Sequence, residues 1–189
     1  MNGPRNSYEV TESTGYLNLG AVWIPTIEGL DVTVQIDQTT QQLLSFSLIY
    51  ANSIAKIEIF AAAKEHSSWA DIRFEIAARL EETQVQPKIS TGSFGSQITA
   101  VMPTFDEQGK ALVQAVRFLG IDGDRWFLRA TISGAGAVNL DVANQIDELI
   151  AKLVINRGEE PMAPGARLPI RFPDTQSVNA QTATFQIEI

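Results

Sequence analysis

Hydrophobic and polar residues alternate along most of the first sixty positions of this chain, and that period of two predicts β-strands. Tyr16–Pro25 reads as a short first strand stopped by proline. Leu30–Ile36 places Leu30, Val32, Val34 and Ile36 on one inward face, and Leu43–Tyr50 follows after the turn-forming run DQTTQQ. An Ala51-Asn52 turn joins that strand to Ser53–Ala63 in a tight hairpin. The period then changes. Ser68-Trp-Ala-Asp71 has the spacing of a capping box, and Trp69, Ile72, Ile76 and Leu80 recur at helical spacing to Thr83, with Phe74 off the stripe. Strands return at Lys88–Ser90 and Gln97–Met102, the second ended by Pro103. A second helix is predicted with Asn139 as N-cap, with Val142, Ala143, Ile146, Leu149, Ile150 and Leu153 inward and an end near Arg157-Gly158.

The best-written hairpin is Ala111–Ser133. One phase carries Leu112, Val116 and Phe118, then Trp126, Leu128, Ala130 and Ile132; the other carries Ala115, Arg117, Leu119, Phe127, Arg129 and Thr131. A two-residue Asp122-Gly123 loop would set odd positions against even ones and mix the faces. A three-residue loop, Asp122 to Asp124, keeps each face consistent, pairing Arg117 with Arg129, Phe118 with Leu128 and Gly120 with Trp126. Two arginines so placed repel unless an acid or an anion lies between them.

Strands, helix, strands, helix is the order of an α+β fold: a single domain with one large antiparallel sheet and two helices packed on it. Residues 1–15 read as a flexible polar leader and 16–158 as the folded domain. Residues 159–189 read as an extended Pro-rich strap followed by the alternating TATFQIEI, which is either an edge strand or a tail that pairs with a neighbouring chain.

Composition removes whole classes of chemistry. There is no cysteine and one histidine, which rules out disulfides and thiolate catalysis and leaves almost no basis for a zinc site. A net charge of −8 argues against a general nucleic-acid binder. No signal-peptide core and no membrane-length apolar run occur, so a cytoplasmic protein is expected.

Candidate chemistry is sparse. Arg117, Arg125 and Arg129, gathered by the hairpin register, could clamp a phosphate or carboxylate, the alternative being neutralisation by Asp or Glu from a helix or neighbouring strand. Asp122-Gly-Asp124 lacks the further carboxylates of a calcium loop and reads as a turn. Gly92-Ser-Phe-Gly95 and Ser133-Gly-Ala-Gly136 lack phosphate-loop spacing. His66 has no nameable catalytic partner, so it reads as a solvated loop residue. Trp23, Trp69 and Trp126 read as core anchors. No catalytic residue, metal ligand or cofactor site is assigned.

Three stretches carry a resemblance: Tyr16-Leu-Asn-Leu-Gly-Ala, the run Val116–Arg129, and Asn156-Arg-Gly-Glu-Glu-Pro-Met162. On these the chain resembles an uncharacterised actinobacterial family, the domain of unknown function 3710. The resemblance implies a cytoplasmic protein and supplies no catalytic residues. In element order alone the chain is similar to the antiparallel α+β sandwich of Mog1 and PsbP proteins, which bind partners. The expected function is therefore a non-enzymatic protein-binding or scaffold domain, self-associating or binding an unknown protein, with Phe185, Ile187 and Ile189 of the tail as candidate contacts. The alternative is a small-anion or nucleotide-binding domain, in the extreme a hydrolase, built on the arginine trio.

Overall fold

The computed structural model describes residues 3–36, 43–64, 68–106 and 108–171, together with the backbone of residues 182–186. In chain order the strands are β1 (Arg5–Asn6), β2 (Tyr16–Asn18), β3 (Val22–Pro25), β4 (Asp31–Ile36), β5 (Leu43–Tyr50), β6 (Ser53–Ala61), β7 (Lys88–Gly92), β8 (Gly95–Phe105), β9 (Ala111–Asp122), β10 (Trp126–Gly134), β11 (Val154–Ile155) and β12 (Thr182–Gln186). The helix α1 (Ser68–Glu82) separates β6 from β7, and the single turn α2 (Ala135–Val138) and the longer α3 (Leu140–Ala151) follow β10. Eight strands form one antiparallel sheet in the order β12-β4-β5-β6-β10-β9-β8-β7, and four form a small mixed sheet, β1-β11-β3-β2. The fold is α+β, as the element order predicts.

Alternation explains the sheet's inner face. Leu30, Val32 and Val34 are buried, as are Ala55, Ile57, Ile59 and Ala61 of β6 and Leu128, Ala130 and Ile132 of β10. The turn at Ala51-Asn52 has both residues at positive φ, 47° and 54°, and joins Tyr50 directly to Ser53. On this face lies α3, whose N-terminus is closed by the Asn139 side chain accepting from the Asp141 and Val142 N–H groups at 2.9 and 3.1 Å. Its Ile146, Leu149 and Ile150 join the main core. The other face is covered by α1: Trp69 stacks on Phe127 at 6.3 Å, and Leu80 packs with Val85, Ile98 and Ala100.

The hairpin of β9 and β10 corrects the predicted register. Arg129 opposes Gly120, Leu128 opposes Ile121 and Arg117 opposes Ile132, so odd positions do meet even ones. The loop is Asp124-Arg125, closed by the Gly123 N–H donating to the Trp126 carbonyl at 2.8 Å, with Arg125 at φ 60°. The reason lies in the core. This register gathers Leu119 and Ile121 with Leu128, Ala130 and Ile132 on the α3 side, and leaves Phe118, Phe127 and Gly120 for α1. Gly120 lies against the Trp69 and Phe127 rings and Gly123 against the Trp126 ring, with no room for a Cβ at either.

Four boundaries also differ from expectation. Residues 3–15 are not a bare leader, because β1 pairs with β11 and the Asn6 side chain accepts from the Trp126 indole N–H at 2.7 Å. Pro103 does not end its strand; it sits opposite Val113, past the last β7 partner at Thr99, where among the described residues β8 has a neighbour on one side only and needs no donor on the other. The second helix ends at Ala151 rather than near Gly158, since Val154 and Ile155 are taken by β3. The Pro-rich strap is packed: the Leu168 N–H donates to the Ile59 carbonyl at 2.9 Å, and Leu168 and Ile170 are buried. It fills the ladder of β6 beyond Ile57, where β5 pairing stops.

Candidate functional site

The three arginines predicted to form one cluster are not brought together. Arg117 and Arg129 are held on opposite faces of the sheet by the odd-to-even register, and Arg125 occupies the hairpin loop, where its carbonyl accepts from Ala62 and from the Arg157 guanidinium.

Arg117 points to α3 and is closed in, with 4 % of its side chain exposed. Its two terminal nitrogens donate to the two Asp147 carboxylate oxygens at 3.1 and 2.8 Å, a fork-to-fork pair. Gln97 Oε1 and the Ala143 carbonyl accept further, longer bonds at 3.3 and 3.4 Å. Asp147 gave a sequence signal that hydrophobicity conceals: it is four residues after Ala143 and three before Ile150, on the inward stripe of the helix. Beside the pair opens a cavity of about 380 Å³ between the β7–β8 turn and the start of α3, lined by Thr99, Asn144 and Val138. Its charged floor is neutral.

On the α1 side the arrangement is different. Glu58 of β6 accepts from Arg129 through Oε2 and from Arg167 of the strap through Oε1, the latter at 2.8 Å. Both guanidiniums lie over the Phe60 ring, 5.5 and 5.8 Å from its centre. Burial of the Glu58 carboxyl by itself raises its pKa. The hydrogen bond from Arg129 and the charges of Arg129, Lys56 and Arg167 outweigh burial and hold it below its ordinary value. Between the start of α1, β6, β10 and the strap lies a cleft of about 280 Å³ whose walls include Phe60, Phe127, Arg129 and Arg167. Sequence reasoning found Arg129 but not its companions: Glu58 alternates outward on β6, and Arg167 sits in a stretch with no period to read.

A second surface follows from the strand lengths. β10 leaves β9 at Val116 and β7 leaves β8 at Thr99, so, among the described residues, positions 101–105 and 111–115 pair only with each other and form an arm. On its α3-side face stand three cross-strand pairs, Val101 with Ala115, Pro103 with Val113, and Phe105 with Ala111. All six are apolar, and Val101, Phe105 and Val113 are 59, 70 and 75 % exposed. Ala100 and Met102, facing the other way, pack in the α1 cluster.

The remaining predicted features are structural where they are described. The Asp122 carboxylate accepts from the Trp69 N–H at 3.3 Å, and Asp124 accepts from the Tyr8 hydroxyl at 3.2 Å. Gly92 and Gly95 flank the β7–β8 turn, and Gly134, at φ 79°, starts α2. Trp126 is fully buried and Trp69 nearly so, its indole N–H donating to the Ser96 carbonyl at 2.6 Å; the Trp23 indole nitrogen is buried with no hydrogen bond among the described residues. Phe185 lies in β12 opposite Val32 of its own chain, whereas Ile187, Ile189 and His66 lie outside the described residues.

By fold and surface, then, this is an α+β protein built on one wide antiparallel sheet with a helix on each face and, among the described residues, an open arginine cleft and an exposed apolar arm. The family model described as "Protein of unknown function (DUF3710)" matches residues 3–179, and the chain belongs to that family. No curated protein and no solved structure matches it.

Proposed function

We propose that the protein is a non-enzymatic, cytoplasmic scaffold that binds protein surfaces through its arm, and that the partner on this surface is a second copy of the chain. The observation that carries this reading is the uncharged face of Val101, Pro103, Phe105, Ala111, Val113 and Ala115. An apolar face of this kind, on the order of a few hundred Å², is what interaction sites present. A face without charge is complementary to itself. Two copies related by a two-fold axis can stack arm on arm and leave no buried charge unpaired. The free backbone edge of β8 is a poorer partner, because Pro103 offers it no N–H donor. Each copy carries a net charge of −8, so the pairs repel at long range and added salt strengthens the association.

Sedimentation equilibrium of the full chain tests this directly. The wild type is expected to dimerise, more tightly at higher salt, and Val113→Asp or Phe105→Asp to be monomeric with the far-UV circular dichroism of the wild type, since both side chains are exposed in the single chain. A wild type that stays monomeric at high concentration, or an Asp variant that still dimerises, overturns the reading.

A further inference from the structure

We infer that the cleft beside Arg129 and Arg167 binds a small oxyanion, the phosphate or carboxylate group of a low-molecular-weight ligand. Charge is the first ground. Among the described residues, two guanidiniums and the Lys56 ammonium act on one carboxylate, Glu58, a local excess of positive charge in a chain whose net charge is −8. Such an inversion of the overall field concentrates anions at one place.

Accessibility is the second. Arg129 and Arg167 are 31 and 44 % exposed, whereas Glu58, which they share, is 9 % exposed. Among the described residues their guanidinium hydrogen bonds go to Glu58 alone, from Nε and Nη2 of Arg129 and from Nη2 of Arg167. Arg129 Nη1 and Arg167 Nε and Nη1 are left for a ligand, and a planar fork suits phosphate and carboxylate alike. Arg117 is the counter-case, with both terminal nitrogens engaged and its side chain closed off.

Preorganisation is the third. The Phe60 ring and the Glu58 carboxylate fix both forks, and the strap segment that carries Arg167 is stitched to β6 by three backbone hydrogen bonds: Gly165 N–H to the Ala61 carbonyl, Ala61 N–H to the Ala166 carbonyl and Leu168 N–H to the Ile59 carbonyl, at 2.8, 2.7 and 2.9 Å. Little side-chain freedom remains to be lost on binding. A cleft of about 280 Å³ is of a size to admit a small molecule.

The test follows the arginine side-chain Nε–H resonances of the full chain during titration with sodium phosphate and, separately, sodium acetate, at constant ionic strength set by sodium chloride. The Arg129 and Arg167 signals are expected to shift saturably in at least one series while that of Arg117 stays in place. Saturation with phosphate alone, with acetate alone or with both identifies the group recognised. Arg167→Gln, at an exposed position, should weaken binding about tenfold or more, with Arg167→Lys intermediate. Val113→Asp should bind as the wild type does, because the cleft is independent of the arm. No saturable shift in either series at several tens of millimolar, or unchanged binding by Arg167→Gln, overturns the inference.

Discussion

Arg117 and Arg129 come from the two strands of one hairpin and face opposite sides of the same sheet, yet their surroundings have little in common. Arg117 meets one acid, two bonds to two oxygens, and is shut beneath α3. Arg129 shares its acid with Arg167 and keeps an open side. One cation to one anion in the dark is a closed account of charge; two cations to one anion at the surface is an unfinished one. Arginine content therefore says little by itself. The ratio of acids to arginines within reach, and whether water reaches them, separates a strut from a receptor.

The sharpest break in the comparison is to remove one acid. Asp147→Ala leaves Arg117 buried and uncompensated and should lower stability by about 3–5 kcal/mol in urea unfolding, while Arg117→Met with Asp147→Leu should recover most or all of that loss. If the double variant is as unstable as the single one, the pair does more than balance charge.

Glu58→Gln acts on the open side and should cost about 1–2 kcal/mol at pH 7. Its pH dependence has a definite sign. Because the folded-state pKa of Glu58 lies below its ordinary value of 4.5, the unfolded chain binds the proton first as pH falls. The glutamate's contribution is thus complete above the ordinary value and is lost as pH drops through the folded one. Urea midpoints of wild type and variant, measured at pH 7 and pH 3, should converge at the lower pH. A gap that persists would mean that packing, and not ionisation, is what Glu58 supplies.

The smallest effect is expected at the third arginine. Arg125 sits at φ 60°, in the left-handed region, so Arg125→Gly should hold or raise stability, by no more than about 1 kcal/mol, with Arg125→Ala gaining nothing, as read by melting temperature. A large loss in the glycine variant would mean that the Arg125 side chain itself holds the loop.

Much of the fold was legible because one-sided burial writes itself into the chain. Leu30, Val32 and Val34 alternate, Ala51-Asn52 marks its turn, and Asn139 caps its helix, each as local chemistry requires. The hairpin register was not legible, for a physical reason. β9 and β10 are covered on both faces, by α3 and by α1, so apolar residues occupy both phases and parity loses its power to choose. The site suffered in the same way. Asp147 reads as an interruption of an apolar stripe until Arg117 is placed above it, and Arg167 belongs to a strap whose pairing with β6 depends on where β5 happens to end. The arm was missed because proline normally closes a strand, and here, among the described residues, the strand has no neighbour on the side that Pro103 spoils.

The small sheet carries a consequence in time. β3 finds its neighbour in β11, and β1 pairs with the same two residues, Val154 and Ile155. A ribosome that has released Val22–Pro25 must add well over a hundred residues before that neighbour exists, a wait of roughly ten seconds at ordinary rates of synthesis. Throughout it Val22 and Ile24, buried in the finished molecule, have β2 on one side of their strand and still lack β11 on the other. Val22–Pro25 is thus made long before its sheet can be completed, and it is where a chaperone would have a long opportunity to act.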